Sequence, residues 1–141
     1  MPYELTDTHS CADIGLIVTG NDIETLFRDA ADGLISIMVE PTSLNNTASI
    51  TIKLEAANPE ELFFKWLSEI IYYKDAKMFF PKRYDFNHLD EDGRKLNAVL
   101  HGDTADREKH AFKTDVKAVT YYRFKVERIE GCWKAEVVLD I

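Results

Sequence analysis

Acidic residues are the side chains of this sequence whose types and spacing could do chemistry. Asp13 begins one alternating apolar stretch, Asp140 ends another, and a DxxDxxxH pattern runs from Asp103 to His110. Hard cations are bound by several oxygen atoms from carboxylates, carbonyls and water. The free α-carboxylate at Ile141 would be a further oxygen donor. By spacing alone these residues indicate at most a cation site, because a solvated acidic surface accounts for most aspartates.

Few other side chains are spaced for catalysis. No HExxH or similar pair occurs among the four histidines, which are His9, His88, His101 and His110. Cys11 and Cys132 do not form a CxxC motif, so we interpret them as two reduced thiols. GxSxG, P-loop and GxGxxG motifs are absent. The residues alone therefore do not name a reaction.

Two segments have the apolar spacing of helices that pack on a core. The first spans 23–38 and follows Asn21 or Asp22, either of which can cap it. The second begins at NPEEL, which supplies an asparagine cap, a proline at the first helical position and a glutamate where a capping box needs one. Its apolar stripe runs from Leu62 to Ile71. These two helices must position whatever site the strands carry.

The strands follow from alternation of apolar and polar residues. Strands are predicted at 13–19, 48–56, 78–88, 95–101, 117–129 and 132–141. The last two form a hairpin around Glu130 and Gly131. The fold class is therefore α+β, with two helices packed on a mixed, largely antiparallel sheet.

The hairpin predicts which residues surround the end of the last strand. Counting outward from the two-residue turn places Tyr121 opposite Asp140 and Thr120 opposite Ile141. The same count places Lys117 on the neighbouring strand, just past the end of the chain. Lys117 could therefore offset part of the acidic charge there.

Length and charge limit the class of protein. The 141 residues suit a single domain, 1–141, and 45% of them are hydrophobic. Lys and Arg number 17 against 25 Asp and Glu, a net charge of −8, which argues against a large direct RNA or DNA surface. No apolar run approaches the roughly 20 residues of a membrane span. The first ten residues lack the features of a signal peptide, so we expect a cytoplasmic protein without membrane contact.

Three segments resemble the archease family. ADIG at 12–15 resembles the family's HTADIG motif, and the ending VVLDI resembles its terminal Asp-Ile. The block from His101 to Tyr122 resembles the family's GExxDxxxH…EVKAITYH block. The two helices also have the expected order and lengths. The sequence departs from the pattern at Ser10-Cys11, which replace His-Thr, at Tyr122, which replaces His, and at Asp103, which replaces Glu.

The resemblance implies a fold and a function. Archeases resemble SHS2-type strand–helix–strand–strand modules, and they are protein cofactors rather than enzymes. They assist the RtcB-type RNA ligase, which joins a 3′-phosphate or 2′,3′-cyclic phosphate end to a 5′-hydroxyl end in tRNA splicing and repair. The resemblance implies that this protein promotes GTP-dependent guanylylation of the ligase's histidine and supports multiple turnover.

The resemblance also implies a calcium site. Its ligands match Asp13, Asp140 and Ile141, so we expect the chain to end at Ile141 because the α-carboxylate is a ligand. Magnesium or manganese would suit the same oxygen atoms. A second set of matched positions, which we expect to act towards the partner, comprises Lys117, Asp103 and His110.

Two other functions remain open from the sequence. In a metal-dependent hydrolase, Asp13, Asp140, Asp103 and His110 would together hold a metal and activate water. An SHS2-like module that binds a small molecule is the other alternative.

Overall fold

A computed structural model describes residues 3–6, 13–106, 108 and 110–141. The chain order of the elements is β1 (Tyr3–Thr6), β2 (Asp13–Gly20), α1 (Ile23–Met38), β3 (Ala48–Glu55), α2 (Pro59–Lys77), β4 (Phe79–Leu89), β5 (Lys95–Thr104), β6 (Ala118–Ile129) and β7 (Cys132–Asp140), with a 3₁₀ turn at Pro41–Ser43. His9, Ser10 and Cys11 lie outside the described residues.

The helices begin where their capping residues predict. Asp22 caps α1, with its Oδ1 accepting from the Thr25 amide at 2.7 Å. Asn58 caps α2 in the same way, since its Oδ1 accepts from the Glu61 amide at 2.9 Å. The Glu61 carboxylate accepts from the amide of Ala57, one residue earlier than in a standard capping box. Local side-chain chemistry therefore fixes both helix starts.

The strands form two antiparallel sheets with the helices between them. One sheet has the order β1-β2-β7-β6 and the other β3-β5-β4, and every described strand pair is antiparallel. Helix α1 packs on β2 and β4, and α2 packs on β6 and β4, so each helix contacts both sheets. Phe27, Phe63 and Trp66 are fully buried in this layer. The α+β prediction is confirmed, and among the described strands the sheets contain no parallel pair, so the prediction of a mixed sheet is replaced by fully antiparallel pairing.

The predicted register of the β6–β7 hairpin is correct near the turn and wrong near the open end. Ile129 pairs with Cys132 as counted, but Ala118, rather than Tyr121, lies opposite Asp140. Thr120 pairs with Val138 and Lys125 with Glu136, so five steps along β6 match two along β7, and three residues of β6 are extra. This bulge explains why Thr120 does not reach Ile141.

Strand β1 was not predicted. It has only four residues, too few for alternation to be recognised, and it pairs with β2 from Tyr3 opposite Val18 to Thr6 opposite Gly15. Within the described ranges, no helix has both the length and the apolar character that crossing a membrane requires.

Candidate functional site

Asp13 and Asp140 lie directly opposite each other in the pairing of β2 with β7. Ile14 and Leu139 point towards the helices, so alternation turns both carboxylates to the outer face of the sheet. Residues directly opposite in an antiparallel pair have Cβ atoms about 5 Å apart. Both side chains are half-buried. The sequence therefore places two acidic residues side by side at one corner of the sheet, and we call them the acid pair.

The acid pair is costly in the absence of a compensating charge. Like charges directly opposite each other in an antiparallel pair are destabilising. Within the described ranges, neither Asp13 nor Asp140 accepts a side-chain hydrogen bond or joins a salt bridge. A bound cation, a proton or a cation of a partner would each relieve this repulsion.

Lys117 and Ile141 border the acid pair. The main-chain amide of Lys117 donates to the carbonyl oxygen of Asp140 at 2.8 Å, and extending the β6–β7 register by one residue sets Lys117 opposite Ile141. The Lys117 side chain is exposed, whereas the preceding Val116 is fully buried and anchors the segment. The side chain of Ile141 packs against the core, which holds its carboxyl group near the end of β7.

The donor chemistry of the corner suits a hard cation. Two carboxylates and the main-chain oxygen of Ile141 offer only oxygen atoms, which calcium, magnesium and manganese prefer. In the part of the chain that the structure describes, no group of three or more His, Cys, Asp or Glu side chains is placed to hold a metal. Calcium takes six to eight oxygens. The corner therefore fits an open site whose remaining ligands come from water or from another molecule.

Asp103 and His110 form a separate and self-contained cluster. Asp103, at the end of β5, accepts hydrogen bonds from the Asn45 amide at 2.9 Å and the Thr47 hydroxyl at 2.6 Å. His110 Nε2 lies 2.9 Å from the second oxygen of Asp103, and the Asp106 amide donates to His110 Nδ1 at 2.7 Å. Because Nδ1 accepts, the ring proton sits on Nε2, and His110 donates it to Asp103.

The environment of Asp103 favours its ionised form. Burial by itself raises the pKa of Asp103, but the hydrogen bonds from Thr47, Asn45 and His110 outweigh burial and lower the pKa to about 2. Only 7% of Asp103 and 6% of His110 are exposed. These contacts tie β5 to the segment before β3 and to the loop after β5, and they occupy the groups that a metal or a substrate would need.

The two acidic clusters belong to different sheets. Asp13 and Asp140 lie on β2 and β7, whereas Asp103 lies on β5 of the three-stranded sheet. The hydrolase alternative needs the acid pair, Asp103 and His110 around one metal, and no described group of three or more such side chains is placed for that. Nothing in the geometry favours that reaction.

Two charged residues escaped the sequence analysis. Lys74 is only 6% exposed, and its ammonium group donates to Asp115 at 2.6 Å and to the Val116 carbonyl at 2.8 Å, with Asp75 at 2.7 Å. It continues the apolar stripe of α2 three residues after Ile71, a spacing that could have revealed its burial. This lysine fixes the segment that leads to Lys117.

Asp32 is the second such residue. It lies on α1 beside the buried hydroxyl of Tyr84, which has no well-oriented hydrogen-bond partner among the described residues. Burial, with a smaller contribution from the neighbouring Asp29 carboxylate, raises the pKa of Asp32 to about 6. Asp32 is a charged residue that lies between buried residues of α1, and its sequence position alone does not indicate burial. Its burial follows from the packing of β4 against α1.

The described fold and corner define a class: a small β/α/β protein without an assembled catalytic centre in the described residues, but with a half-buried, oxygen-rich acid pair. The sequence profile of the archease protein family (MTH1598/TM1083) matches residues 3–141. This chain belongs to the archease family.

Individual archeases are similar to this chain along nearly its whole length. The archease of Methanopyrus kandleri is 32% identical over 142 residues, covering 100% of each chain. That of Pyrococcus furiosus is 32% identical over 132 residues, covering 92% of this chain and 93% of its own.

Solved structures share the fold. The solution structure of Methanobacterium thermoautotrophicum protein 1598 superposes with a TM-score of 0.77 at 25% identity, covering 99% of both chains. The crystal structure of a Thermotoga maritima archease, described as a possible chaperone, has a TM-score of 0.66 at 23% identity, covering 94% of this chain and 93% of its own.

Proposed function

We propose that this protein activates an RtcB-type RNA ligase by bringing a divalent cation, held at the acid pair, to the ligase's guanylylation site. Membership of the archease family along residues 3–141 supports the activator role. The direct pairing of Asp13 with Asp140 is the single observation that carries the proposal. The product of the activation is the ligase carrying GMP on its histidine, ready for multiple rounds of joining in tRNA splicing and repair.

In this proposal the residues of the chain bind and orient rather than react. Asp13 and Asp140 supply two charged oxygens from neighbouring strands, and the carboxyl group of Ile141 supplies a third. Bound calcium would contribute positive charge next to the triphosphate of GTP, with magnesium or manganese as alternatives. Because the corner is open, the ligase or its nucleotide completes the coordination. The protein has no catalytic residue of its own in this scheme.

The decisive experiment measures transfer of radiolabelled GMP from GTP to the cognate ligase. Catalytic amounts of this protein should accelerate the transfer, and Asp13→Asn and Asp140→Asn should each abolish the acceleration. Asp92→Asn, at an exposed turn position, is the matched control and should remain fully active. An unchanged rate on adding the unsubstituted protein would refute the proposal.

Measuring calcium affinity and melting temperature together distinguishes a ligand role of Asp13 from a structural role. Asp13→Asn removes one of two negative charges that face each other, so the variant should melt at or above the melting temperature of the metal-free unsubstituted protein. Its calcium affinity, measured by calorimetry, should fall strongly. If the variant unfolds more easily and still binds calcium, Asp13 is a structural residue and the metal lies elsewhere.

Ile141 is tested by extending the chain. A short C-terminal tag converts its carboxylate into an amide and places new backbone in the corner, so calcium affinity and ligase activation should both fall. The same tag at the N-terminus should change neither. Equal calcium affinity in the two tagged proteins would remove Ile141 from the ligand set.

Lys117 is proposed to contact the ligase or its nucleotide. Its side chain is exposed while its main chain is fixed to Asp140, so Lys117→Ala should leave melting unchanged and reduce activation. Lys113→Ala, at another exposed lysine of the same segment, is the control. Equal activation by both variants would show that Lys117 is only a solvated side chain.

The RNA is expected to contact the ligase rather than this protein. The net charge of −8 disfavours binding to phosphates, so a mobility-shift assay with tRNA halves should show weak binding by the isolated protein. Tight binding would mean that the activator also recruits the substrate.

A further inference from the structure

The edge formed by β3 differs from the other three edges of the two sheets. Sheet edges in natural proteins are usually short, bulged or interrupted by proline, because an unprotected edge pairs with other strands. β1 has four residues, β4 contains Pro81 and two register shifts, and β6 carries the three-residue bulge. β3 has eight residues, pairs with β5 without a shift and contains no proline.

The hydrogen-bonding pattern shows which backbone groups this edge presents. The Ala56 amide donates to the carbonyl oxygen of Arg94, directly opposite, at 2.8 Å. Hydrogen-bonded positions alternate along an antiparallel pair. The even-numbered residues of β3 therefore bond to β5, and the backbone groups that point to the open side belong to Ser49, Thr51, Lys53 and Glu55.

An independent contact agrees with this assignment. The carbonyl oxygen of Glu55 points away from β5, since it accepts a hydrogen bond from the Lys65 ammonium group of α2 at 2.8 Å. No backbone hydrogen bond from Ser49, Thr51 or Lys53 to a residue outside the β3–β5 ladder occurs within the described ranges. Three consecutive outward positions are thus available to another strand.

A groove beside the edge would accommodate the side chains of an added strand. It has a volume of about 480 Å³ and is lined by Lys53, Leu54, Glu55, Lys65, Ser68, Glu69 and Tyr72. Among its lining residues Leu54 is half-buried, and Tyr72 is 58% exposed. The two lysines balance the two glutamates, so the groove is locally neutral although the protein is acidic.

We propose that the occupant of this edge is a second copy of the same chain, paired antiparallel through β3 with Ile52 at the two-fold axis. In this register Thr51 of one copy lies opposite Lys53 of the other, and Ser49 opposite Glu55. Residues 49–55 of the two copies overlap, which is seven of the eight residues of β3, and their outward-facing backbone groups coincide as hydrogen-bonded pairs.

The side chains disfavour one of the neighbouring registers. No like charges are directly opposite, whereas a shift of the pairing by two residues in one direction sets Lys53 opposite Lys53 of the other copy. A shift by one residue sets the outward-pointing backbone groups of one copy opposite residues of the other copy whose backbone groups already bond to β5. On the inner face, Ile50 of one copy meets Leu54 of the other, which covers the half-buried residues at each edge.

The resulting dimer has a continuous six-stranded sheet. Asp13 and Asp140 lie on β2 and β7, and neither strand takes part in the pairing between the two copies. The dimer interface is therefore separate from the acid pair. The inference concerns a different surface and does not depend on the proposed activation of a ligase.

Sedimentation velocity of the full chain, from low micromolar to millimolar concentration, tests the dimer. A reversible monomer–dimer equilibrium is expected. Thr51→Pro removes an outward N–H that β5 does not use, and should raise the dimer dissociation constant at least about tenfold while preserving the monomer fold. Thr51→Val keeps the N–H and should leave the dissociation constant within about twofold.

Amide hydrogen exchange of the unsubstituted protein, resolved by NMR, tests the pairing independently of any variant. Raising the protein concentration should slow exchange at Ser49, Thr51 and Lys53 and leave Ile50 and Ile52 unchanged. A monomer at every concentration, a dimer that Thr51→Pro does not weaken, or a dimer without protection of these three amides would each overturn the inference. Protection that appears only on adding a different protein would also overturn it.

Discussion

Replacing Asp32 with asparagine should stabilise this protein in a pH-dependent way. Burial raises the pKa of Asp32 from 3.8 to about 6, so the folded state favours the protonated form and is penalised when the carboxyl group ionises. The penalty is absent below about pH 4, where Asp32 is protonated in both states. It grows as the pH rises from about 4 to about 6 and is constant above that range.

The size of the effect follows from the pKa difference. About two pKa units correspond to about 3 kcal/mol, and solvent screening of this partly exposed side chain reduces the expected value to about 2 kcal/mol. For a domain of this length, 2 kcal/mol corresponds to an increase of about 4–8 °C in melting temperature. Asparagine keeps the shape of the side chain and carries no charge.

The assay is urea unfolding of Asp32→Asn and the unsubstituted protein at pH 4, 5, 6, 7 and 8. The gain should be near zero at pH 4 and reach its full size by pH 7. Asp92→Asn, at an exposed turn, controls for the general loss of one negative charge. A gain of equal size at pH 4 and pH 8 would show that ionisation of Asp32 is not its cause, and a loss of stability at pH 8 would refute the burial of an unfavourable charge.

Three further substitutions test the packing around the site. Asp103→Asn should cost about 2 kcal/mol at pH 7, and the difference should vanish as the pH falls from about 4 to about 2 in chemical unfolding, because the lowered pKa of Asp103 stabilises the fold only while the group is ionised. Gly102→Ala should lower stability by about 1–3 kcal/mol in thermal unfolding, since a Cβ would overlap the carbonyl oxygen of Phe80; unchanged melting would show that β4 can move aside. Lys74→Ala should cost about 2 kcal/mol by leaving the buried Val116 carbonyl without its donor, and Lys74→Arg should recover part of it; an unaffected Lys74→Ala would mean that water replaces the ammonium group.

The helices and most strands could be predicted because their signals are local. Asp22 and Asn58 cap the helices through contacts three residues away, and alternation defines the long strands. β1 was missed because four residues carry too little pattern and its partner β2 supplies the stability. Pairing between sequence-distant strands is not a local signal.

The bulge in β6 was also missed, although the sequence contains a sign of it. Val119 and Val126 are both buried, yet they are seven residues apart and cannot share a face of a regular strand. An odd number of extra residues must therefore lie between them, and the structure has three, including Arg123 at φ 52°. Attention to that parity would have shown that Tyr121 does not lie opposite Asp140, while the number of extra residues that places Ala118 there came only from the structure.

The surroundings of each aspartate in the structure distinguish aspartates that stabilise the fold from aspartates that are available for function. Amino-acid composition alone could not make this distinction. Asp103 receives three hydrogen bonds, and its ionised form is stabilised by the fold itself. Asp13 and Asp140 face each other without a described side-chain donor, so their charges oppose the fold unless something outside these contacts compensates them. A chain selected for stability alone would gain by neutralising one of the pair, since Asn at either position preserves the strand and removes the repulsion. A cation at the acid pair, as proposed above, would offset this repulsion.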